Sequence, residues 1–368
     1  MPPFMKVYVH VPFCHSKCAY CDFYSTPRQE LMERYVDTVR EEWKALGGGA
    51  VPDTMYLGGG TPSSLPVELL DRLIEGIPAP EPLREFTIEA NPEDVTRGWV
   101  NHVVTNTRID RVSMGIQTFD DSTLSFLGRR HTGAQAEEAV HTLREGGIGN
   151  LSCDLIYGLP GQTLEGWKAD LDRLLSLKPE HISAYLLSYE PRTRLGVMLS
   201  KGKVIEASDQ LAEEMYSYLC RASREAGYEH YEISNFALPG RKAVHNSSYW
   251  DGSDYIGLGP GAHSMAGGVR WYNPSDLNGY IRSGGHGFRV IDEEDEMNRY
   301  NDMLITALRT SAGLDREAIP EEFKASFDTS SARLLENGGL VITPSGRIAI
   351  PEDKWLTSNT ILLELIEV

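Results

Sequence analysis

The sequence predicts an α/β fold, a partial (βα)6 barrel followed by a C-terminal winged-helix-like α+β domain. Two observations support this prediction. Short runs rich in β-branched and aromatic residues alternate with amphipathic segments, which indicates parallel strands joined by right-handed helical crossovers. Polar motifs follow nearly every predicted strand, and in a barrel such positions meet on the face formed by the carboxyl ends of the strands. Periodicity alone leaves an open doubly wound sheet as an alternative, but the polar motifs favour the barrel.

The predicted elements follow one another in three segments. Residues 1–235 form the barrel, with strands at 7–11, 54–57, 85–89, 111–115, 151–156 and 181–187 and helices that include 29–46, 134–145 and 164–177. Residues 236–298 are less regular, and their Gly- and Pro-rich turns predict an extension that lines the barrel mouth. Residues 299–368 resemble a winged helix, with helices at 300–309 and 331–336 and strands at 340–343 and 347–350.

Charge and hydropathy exclude several classes of protein. The chain of 368 residues has a formal net charge of −18, and this charge argues against a nucleic-acid partner because both would be negative. Residues 291–368 carry sixteen acidic and seven basic residues, so their winged-helix pattern predicts a structural or protein-docking role. No apolar run is long enough to span a membrane and no signal sequence is recognisable, so we expect a cytoplasmic protein.

Three of the five cysteines lie within eight residues, at Cys14, Cys18 and Cys21, after the first strand. This spacing indicates metal ligation in a reducing compartment rather than a disulfide framework. Three thiolates leave one ligand position of a four-ligand cluster open. Either His15 completes a structural Cys3His zinc site, or one iron stays free for an external chelate. Cys153 and Cys220 lie in apolar stretches and are predicted to be small buried residues.

The cysteine loop and the motifs that follow the later strands together resemble the radical SAM (S-adenosylmethionine) superfamily over essentially the whole chain. The family's C-x3-C-x2-C loop is present, with Tyr20 before the last cysteine, and the glycine run 58–60 with Thr61 and Pro62 follows strand two. The resemblance implies a [4Fe–4S] cluster held by the three cysteines and an open iron that chelates SAM. It also implies that the reduced cluster cleaves SAM to a 5′-deoxyadenosyl radical.

Within the superfamily, the segment 8–14 and the motif around Asp154 resemble the group related to the anaerobic coproporphyrinogen III dehydrogenase. The resemblance implies SAM contacts at five positions, namely Tyr8, Gly59, Gly60, Thr61 and Glu89. In the dehydrogenase, the residues that match Gln117, Arg129 and Asp154 would face a second SAM. Taken singly, each of these polar residues could be a satisfied structural group, but their succession at strand ends is hard to explain by structure alone.

Two departures from the dehydrogenase pattern favour a different member of the group, the HemW-type haem chaperones. Phe23 stands where the dehydrogenase has a further cysteine, and only thirteen residues precede Cys14, whereas the dehydrogenase has a long N-terminal extension. The motif His245-Asn246-Ser247-Ser248-Tyr249-Trp250 is also typical of these chaperones. Its imidazole is a natural haem ligand or a support for the haem site, and His263 is a weaker candidate.

The sequence thus predicts a chaperone that binds haem and transfers it to respiratory apoproteins, without coproporphyrinogen dehydrogenase activity. The alternative is an oxygen-independent coproporphyrinogen III dehydrogenase, and a third interpretation is a zinc-stabilised barrel without radical chemistry. Peripheral membrane-protein contacts and a homodimer are further expectations, the dimer from the family resemblance.

Overall fold

The computed structural model describes residues 4–47, 51–79, 83–293 and 295–367. Within these ranges the strands are β1 (Phe4–Val11), β2 (Val51–Gly59), β3 (Glu85–Ala90), β4 (Arg111–Gln117), β5 (Leu151–Tyr157), β6 (His181–Leu186), β7 (Glu229–Glu232), β8 (Asn235–Ala237), β9 (Tyr255–Leu258), β10 (His263–Ala266), β11 (Val269–Tyr272), β12 (Val290–Asp292), β13 (Val341–Ile342) and β14 (Ile348–Ala349).

The α-helices of the same ranges are α1 (Met32–Leu46), α2 (Val67–Glu75), α3 (Arg97–Asn106), α4 (Asp121–Leu127), α5 (Gly133–Glu145), α6 (Leu164–Ser176), α7 (Arg194–Ser200), α8 (Asp209–Glu225), α9 (Val244–Ser247), α10 (Leu277–Arg282), α11 (Glu296–Ala307), α12 (Glu321–Glu336) and α13 (Ser358–Leu362). Short 3₁₀ helices lie at Gln29–Leu31, Pro62–Ser64, Pro92–Asp94, His286–Phe288, Arg316–Ala318 and Glu352–Thr357.

One large sheet organises the molecule, with the strand order β12-β11-β10-β9-β1-β2-β3-β4-β5-β6-β8-β7. The six predicted strands β1 to β6 are parallel neighbours in chain order, and this confirms the predicted barrel. Strand β9 is a seventh parallel strand, paired with β1. Antiparallel strands complete both edges, and within the described ranges β12 and β7 are not paired with each other. The barrel therefore remains partial.

Alternation along β1 separates the helix-facing core from the interior of the barrel. Val7, Val9 and Val11 are fully buried in the same hydrophobic cluster as Val36 and Val39 of α1. Because successive side chains of a strand point to opposite faces, Tyr8 and its alternating neighbours face the interior. The interior is thus lined by the polar and aromatic half of each strand.

The extension 236–298 does more than line the mouth of the barrel. Its strands β9 to β12 widen the sheet beyond β1, and its helix α9 lies against the first residues of the central strands. Glu85, which begins β3, accepts hydrogen bonds from the backbone N–H groups of Val244 (2.8 Å) and His245 (2.9 Å). This carboxylate satisfies the free amides at the start of α9 and fixes the helix at the amino end of the barrel.

The C-terminal segment has the predicted order of helix, helix and hairpin. The predicted helix at 331–336 is the end of the longer helix α12, and β13 pairs with β14 through Val341–Ala349 and Ile342–Ile348. The division into three domains at residues 235 and 298 remains a prediction. Within the described ranges, no helix is both long enough and apolar enough to cross a membrane.

Candidate functional site

The cysteine loop follows β1 and is held from both sides by backbone hydrogen bonds. The amide of Cys14 donates to the carbonyl of Thr26 (3.1 Å), and the amide of Ala19 donates to the carbonyl of Leu127 (2.8 Å). The carbonyl of Ala19 in turn accepts from the amide of Leu195 (2.9 Å). The loop is therefore fixed by three distant parts of the barrel. It presents three free, half-buried thiols to one cavity of about 510 Å³, those of Cys14, Cys18 and Cys21.

Polar side chains contact the sulfur atoms of Cys14 and Cys18 directly. The Sγ of Cys14 lies 3.3 Å from the hydroxyl oxygen of Thr61, and Nη1 of Arg129 donates to the Sγ of Cys18 at 3.7 Å. Burial raises the pKa of Cys14, and it raises the pKa of Cys21 to about 11. Metal binding must therefore displace thiol protons.

The glycines after β2 are required by close packing. A side chain at Gly59 would place its Cβ 2.6 Å from Nδ1 of His10, and the residue has a φ of 108°. A Cβ at Gly60 would lie 2.7 Å from the carbonyl oxygen of Phe13. The backbone here approaches β1 too closely for any other residue. The result is a bare backbone edge beside the cysteine loop, where a ligand can approach main-chain amides.

Glu89 is the central carboxylate of the cavity. Its Oε1 accepts a hydrogen bond from the Tyr56 hydroxyl (2.9 Å), and its Oε2 accepts one from the amide of Gly59 (3.0 Å). Burial raises the pKa of Glu89 to about 7, and the nearby charge of Asp154 acts in the same direction. Glu89 can therefore gain or lose a proton near neutral pH.

Asp154, on β5, is a second carboxylate on the same cavity wall, and it is half-buried. Its Oδ1 lies 3.5 Å from the Ser113 hydroxyl on the neighbouring strand. Burial raises the pKa of Asp154 to about 6, while the charge of Arg111 opposes that increase. Together with Glu89 it places negative charge on this wall of the cavity once both groups are ionised, and this favours a cationic ligand there.

Gln117 ends β4, and Arg129, which follows α4, reaches the same strand through its side chain. Nη2 of Arg129 donates to the carbonyl of Gly115 (2.6 Å) and to Oδ1 of Asn91 (2.8 Å), so the same guanidinium joins β4, the loop after β3 and the Cys18 sulfur. Gln117 has a φ of 70°, which is unusual for a residue other than glycine, and it sits at an irregularity in the pairing of β4 with β5. Such strain is typical of residues whose position is set by function.

A second cavity of about 450 Å³ adjoins the first, and six of its thirteen lining residues are aromatic. Three of its aromatic residues, Tyr8, Tyr249 and Trp250, line this cavity but not the first one. The residues that line both cavities are Phe23, Tyr56, Gly59, Glu89, Tyr185 and Asn246. Because six residues are common to both walls, the two cavities form neighbouring parts of one site.

His245 lies behind this wall rather than in it. Its side chain has no exposed surface, its Nδ1 lies 2.8 Å from the Thr54 hydroxyl and its Nε2 lies 3.0 Å from the Tyr249 hydroxyl. Burial lowers the pKa of His245 to about 3, so the imidazole is neutral. His263 is exposed, stacks on Tyr272 and lines neither cavity. The imidazole of His245 therefore reaches the cavity through Tyr249.

The structure thus brings eleven of the twelve predicted site residues to the walls of the two cavities, and His245 is the exception. Sequence reasoning missed Tyr56, Asn91 and Tyr185. Tyr56 lies two residues before Gly58 on the same face of β2, and Asn91 follows Glu89 at the same interval, so strand alternation was a signal for both. Tyr185 carries no motif that distinguishes it from a core aromatic residue.

The ligand atoms of the cysteine loop are not as close to one another as the ligands of a single metal ion are. A tetrahedral zinc ion holds its ligand atoms about 3.3 to 3.8 Å apart. Among the described residues, one group of three potential ligands has all its ligand atoms within 4.8 Å of one another, and it contains Cys220, His230 and Glu352 but no member of the cysteine loop. Nδ1 of His15 instead contacts the side-chain amide of Gln29 at 2.6 Å. The wider spacing of the cysteine sulfurs suits a cluster better than a zinc ion.

Comparison with known proteins agrees with this geometry. Residues 8–174 match the family model described as the radical SAM superfamily. The chain is 35% identical to the heme chaperone HemW of Lactococcus lactis, over 88% of this chain and 86% of that protein. It is 32% identical to HemW of Bacillus subtilis, over 97% of each protein. Among solved structures, the radical SAM enzyme coproporphyrinogen III oxidase (HemN) of Escherichia coli has the same fold, with a TM-score of 0.82 at 22% identity over 99% of this chain and 90% of that one.

Proposed function

The chain belongs to the HemW heme chaperones of the radical SAM superfamily, and on this basis we propose that it binds haem and transfers it to respiratory apoproteins. Membership of the superfamily implies a [4Fe–4S] cluster and SAM as cofactors. The observation that carries the proposal is the aromatic cavity beside the cysteine loop. A flat, apolar macrocycle binds against aromatic walls of this kind, which exclude water and offer stacking surfaces.

The residues of the first cavity fit the two cofactors. The three free thiols that share the cavity are the ligands an iron–sulfur cluster requires, and the guanidinium of Arg129 offsets their negative charge once they are ionised. The bare backbone edge at Gly59 and Gly60, with Thr61 and Glu89 beside it, would hold SAM through main-chain amides and a carboxylate. A cluster held there would provide reducing chemistry next to the SAM site. Tyr8, Gln117 and Asp154 complete the proposed cofactor contacts.

The second cavity supports a place for haem. Tyr8, Tyr249 and Trp250 provide aromatic surface, and Phe23, which is 68% exposed, adds an apolar ring at a wall common to both cavities. We assign His245 the supporting role, because its Nε2 fixes the hydroxyl of Tyr249 while its own ring is enclosed. The imidazole would have to leave two hydrogen bonds before it could bind iron directly.

We also propose that the chain does not oxidise coproporphyrinogen III. That reaction requires the propionate side chains to be held close to the reacting centre, and a displacement of about 1 Å can cost on the order of a hundredfold in rate. Phe23 places an exposed apolar ring where the dehydrogenase pattern has a cysteine. Haem transfer needs only binding and release by ligand exchange. Contacts with peripheral membrane proteins and a homodimer belong to the same proposal, and analytical ultracentrifugation tests the dimer.

Two parallel assays test the function. The anaerobically reconstituted protein is loaded with haem and mixed with an apo-cytochrome acceptor, and the appearance of holo-cytochrome is followed by its absorption spectrum. In the second assay a separate sample of the reconstituted protein receives coproporphyrinogen III, SAM and a reductant. The porphyrin products are then separated by chromatography. We expect haem transfer in the first assay and no protoporphyrinogen IX in the second. Multiple turnovers of decarboxylation without haem transfer would reverse the proposal in favour of the dehydrogenase.

A further inference from the structure

A second set of metal-ligating side chains lies apart from both cavities. Cys220 is on α8, His230 is on β7, and Glu352 begins the 3₁₀ helix Glu352–Thr357. None of the three lines either cavity. We propose that they bind one zinc ion, which joins the C-terminal segment to the barrel.

The distances between the ligand atoms support this assignment. The Sγ of Cys220 lies 3.9 Å from Nδ1 of His230, and the same Nδ1 lies 3.0 Å from Oε1 of Glu352. All three ligand atoms lie within 4.8 Å of one another. In a tetrahedral zinc site, bonds of about 2.0 to 2.3 Å separate the ligand atoms by about 3.3 to 3.8 Å. Small adjustments of the half-buried Cys220 and Glu352 side chains would bring the three atoms to these distances.

The imidazole is already oriented for this role. The ring of His230 stacks on Phe236 with centroids 4.0 Å apart and an interplanar angle of 11°. The edge contact with Trp355 has a centroid separation of 4.4 Å. The His230 side chain is only 4% exposed. Two aromatic neighbours thus fix the direction of Nδ1, and a ligand held in place loses little conformational entropy when a metal binds.

The surroundings provide outer contacts of the kind that metal sites use. Nη2 of Arg224 donates to Oε1 of Glu352 at 2.7 Å. The Arg224 side chain is 66% exposed, so it can move to the other carboxylate oxygen of Glu352 when a metal binds. The buried hydroxyl of Tyr216 lies beside the Cys220 sulfur and has no other hydrogen-bond partner within the described ranges. A water on a fourth zinc position would give that hydroxyl a partner. Such outer contacts orient ligands and tune metal affinity.

The donor set defines the class of metal. One thiolate, one imidazole and one carboxylate suit zinc, whereas magnesium and calcium prefer oxygen ligands alone. Zinc binding displaces the thiol proton of Cys220 to solvent. Glu352 precedes Trp355, whose indole N–H donates to the carbonyl of Ile350 at 2.8 Å. The zinc ion would therefore fasten this C-terminal turn to α8 and β7.

Zinc loading of the cluster-containing protein tests the proposal. The reconstituted protein is incubated with one equivalent of zinc chloride, desalted, and analysed for zinc and iron by mass spectrometry. We expect about one zinc per chain with the iron content unchanged. X-ray absorption at the zinc edge should show one sulfur at about 2.3 Å and nitrogen or oxygen ligands at about 2.0 to 2.1 Å.

Neighbouring carboxylates provide a matched pair of variants. Glu352→Gln should weaken zinc binding at least tenfold in a chelator competition, while Asp353→Asn, which changes an exposed carboxylate next to it in the chain, should not. Equal affinity in the two variants would overturn the proposal. So would the absence of retained zinc, or three sulfur neighbours around the zinc, which would place it in the cysteine loop. The absorption measurement on the unmodified protein needs no variant to fold.

Discussion

At Glu89, burial and hydrogen bonding act on the carboxylate in opposite directions. Desolvation raises its pKa, while the donors Tyr56 and Gly59 lower it, and the result is a pKa of about 7. An ordinary glutamate with a pKa near 4.5 would be fully ionised at neutral pH. The balance at Glu89 makes its charge, and with it the recognition of a cationic ligand, depend on pH in the physiological range.

Replacement of Glu89 by Gln should weaken SAM binding roughly tenfold to a hundredfold while the cluster stays intact, because a charged hydrogen bond contributes about 1.5 to 3 kcal/mol. The affinity of the unmodified protein should rise as pH increases through about 7, since the carboxylate ionises there, and the variant should lack this rise. SAM binding is measured by its effect on the electron paramagnetic resonance spectrum of the reduced cluster. Glu190→Gln, at an exposed carboxylate on the same cavity wall, is the control.

The raised pKa of Glu89 also makes the stability of the fold depend on pH, and stability falls with rising pH whereas SAM affinity rises. The folded-state pKa of Glu89 is raised above its ordinary value, so its contribution to stability is present below about pH 4.5 and is lost as pH rises through about 7. The slope reaches at most about 1.4 kcal/mol per pH unit. In urea unfolding of the cofactor-free protein, Glu89→Gln should therefore gain stability relative to the unmodified protein between pH 5 and 8. A constant difference across this range would contradict the assignment.

The charged hydrogen bond from Arg129 to Cys18 should affect the reduction potential of the cluster, and Arg130, the next residue in the chain, provides a control. Arg129→Gln should move the reduction potential of the cluster to a more negative value, because the hydrogen bond from Nη1 to the Cys18 sulfur stabilises the reduced, more negative state. Arg130 is exposed and pairs with Glu93, and Arg130→Gln should leave the potential unchanged. A redox titration followed by electron paramagnetic resonance measures both. Equal potentials in the two variants would show that Arg129 has only a structural role.

At the scale of elements, the strands were predictable because most of their residues are buried and their alternation with helices is regular. The observed β3 and β5 begin at their predicted residues, and their ends extend by one residue each. Strand β9 was missed because its four residues, Tyr255–Leu258, run directly into a turn rich in glycine and proline, so no periodic pattern develops. Its place beside β1 depends on long-range pairing, which a local pattern cannot show.

The helix α9 shows the same limit at the candidate haem site. The motif from His245 to Trp250 predicts an imidazole that either binds haem or supports the haem site, and tertiary contacts hold that ring between the hydroxyls of Thr54 and Tyr249. Glu85, which is 160 residues away in the chain, fixes the start of the helix. Nothing in the local sequence encodes this contact. The motif therefore predicted a segment that lines the second cavity, while the direction of its histidine could only come from the fold.

Two buried histidines allow a controlled test of this segment. His181 has the same environment as His245, with Nδ1 at 2.8 Å from the Ser152 hydroxyl and Nε2 at 2.7 Å from the Tyr231 hydroxyl, and it is also fully buried. His181→Ala and His245→Ala should each lower the free energy of unfolding by about 2 to 4 kcal/mol. Only His245→Ala should change the haem absorption spectrum, because Tyr249 lines a cavity and Tyr231 does not. A haem spectrum in His245→Ala that matches that of the unmodified protein would show that His245 does not support the haem site.

For the molecule as a whole, the fold and the position of the site could be predicted together because both follow from the parallel strands. Parallel strands bring their carboxyl ends to the same face, so motifs separated by tens of residues in the chain meet around one cavity. The net charge of the chain was informative about partners but not about the site. The net charge of −18 argued against a polyanionic partner, but it gave no information on the aromatic cavity. That cavity depends on Tyr8, Tyr185 and Trp250, which come from different parts of the chain.

The exposed apolar surface gives a final prediction about how the whole molecule meets haem. Phe23 is 68% exposed and lines both cavities, so a bound macrocycle would cover its ring and remove apolar surface from water. At about 25 cal/mol per Å², loss of a ring that buries on the order of 50 Å² weakens binding by about 1.3 kcal/mol. Phe23→Ser should therefore reduce haem affinity roughly tenfold in a spectroscopic titration. Ile205→Ser removes an apolar side chain that is 84% exposed but lines neither cavity, and it should leave the affinity unchanged. Because Phe23 lies close to Cys21, the iron content of both variants is measured in the same samples. An unchanged haem affinity in Phe23→Ser, with a full complement of iron, would show that haem does not bind against this wall.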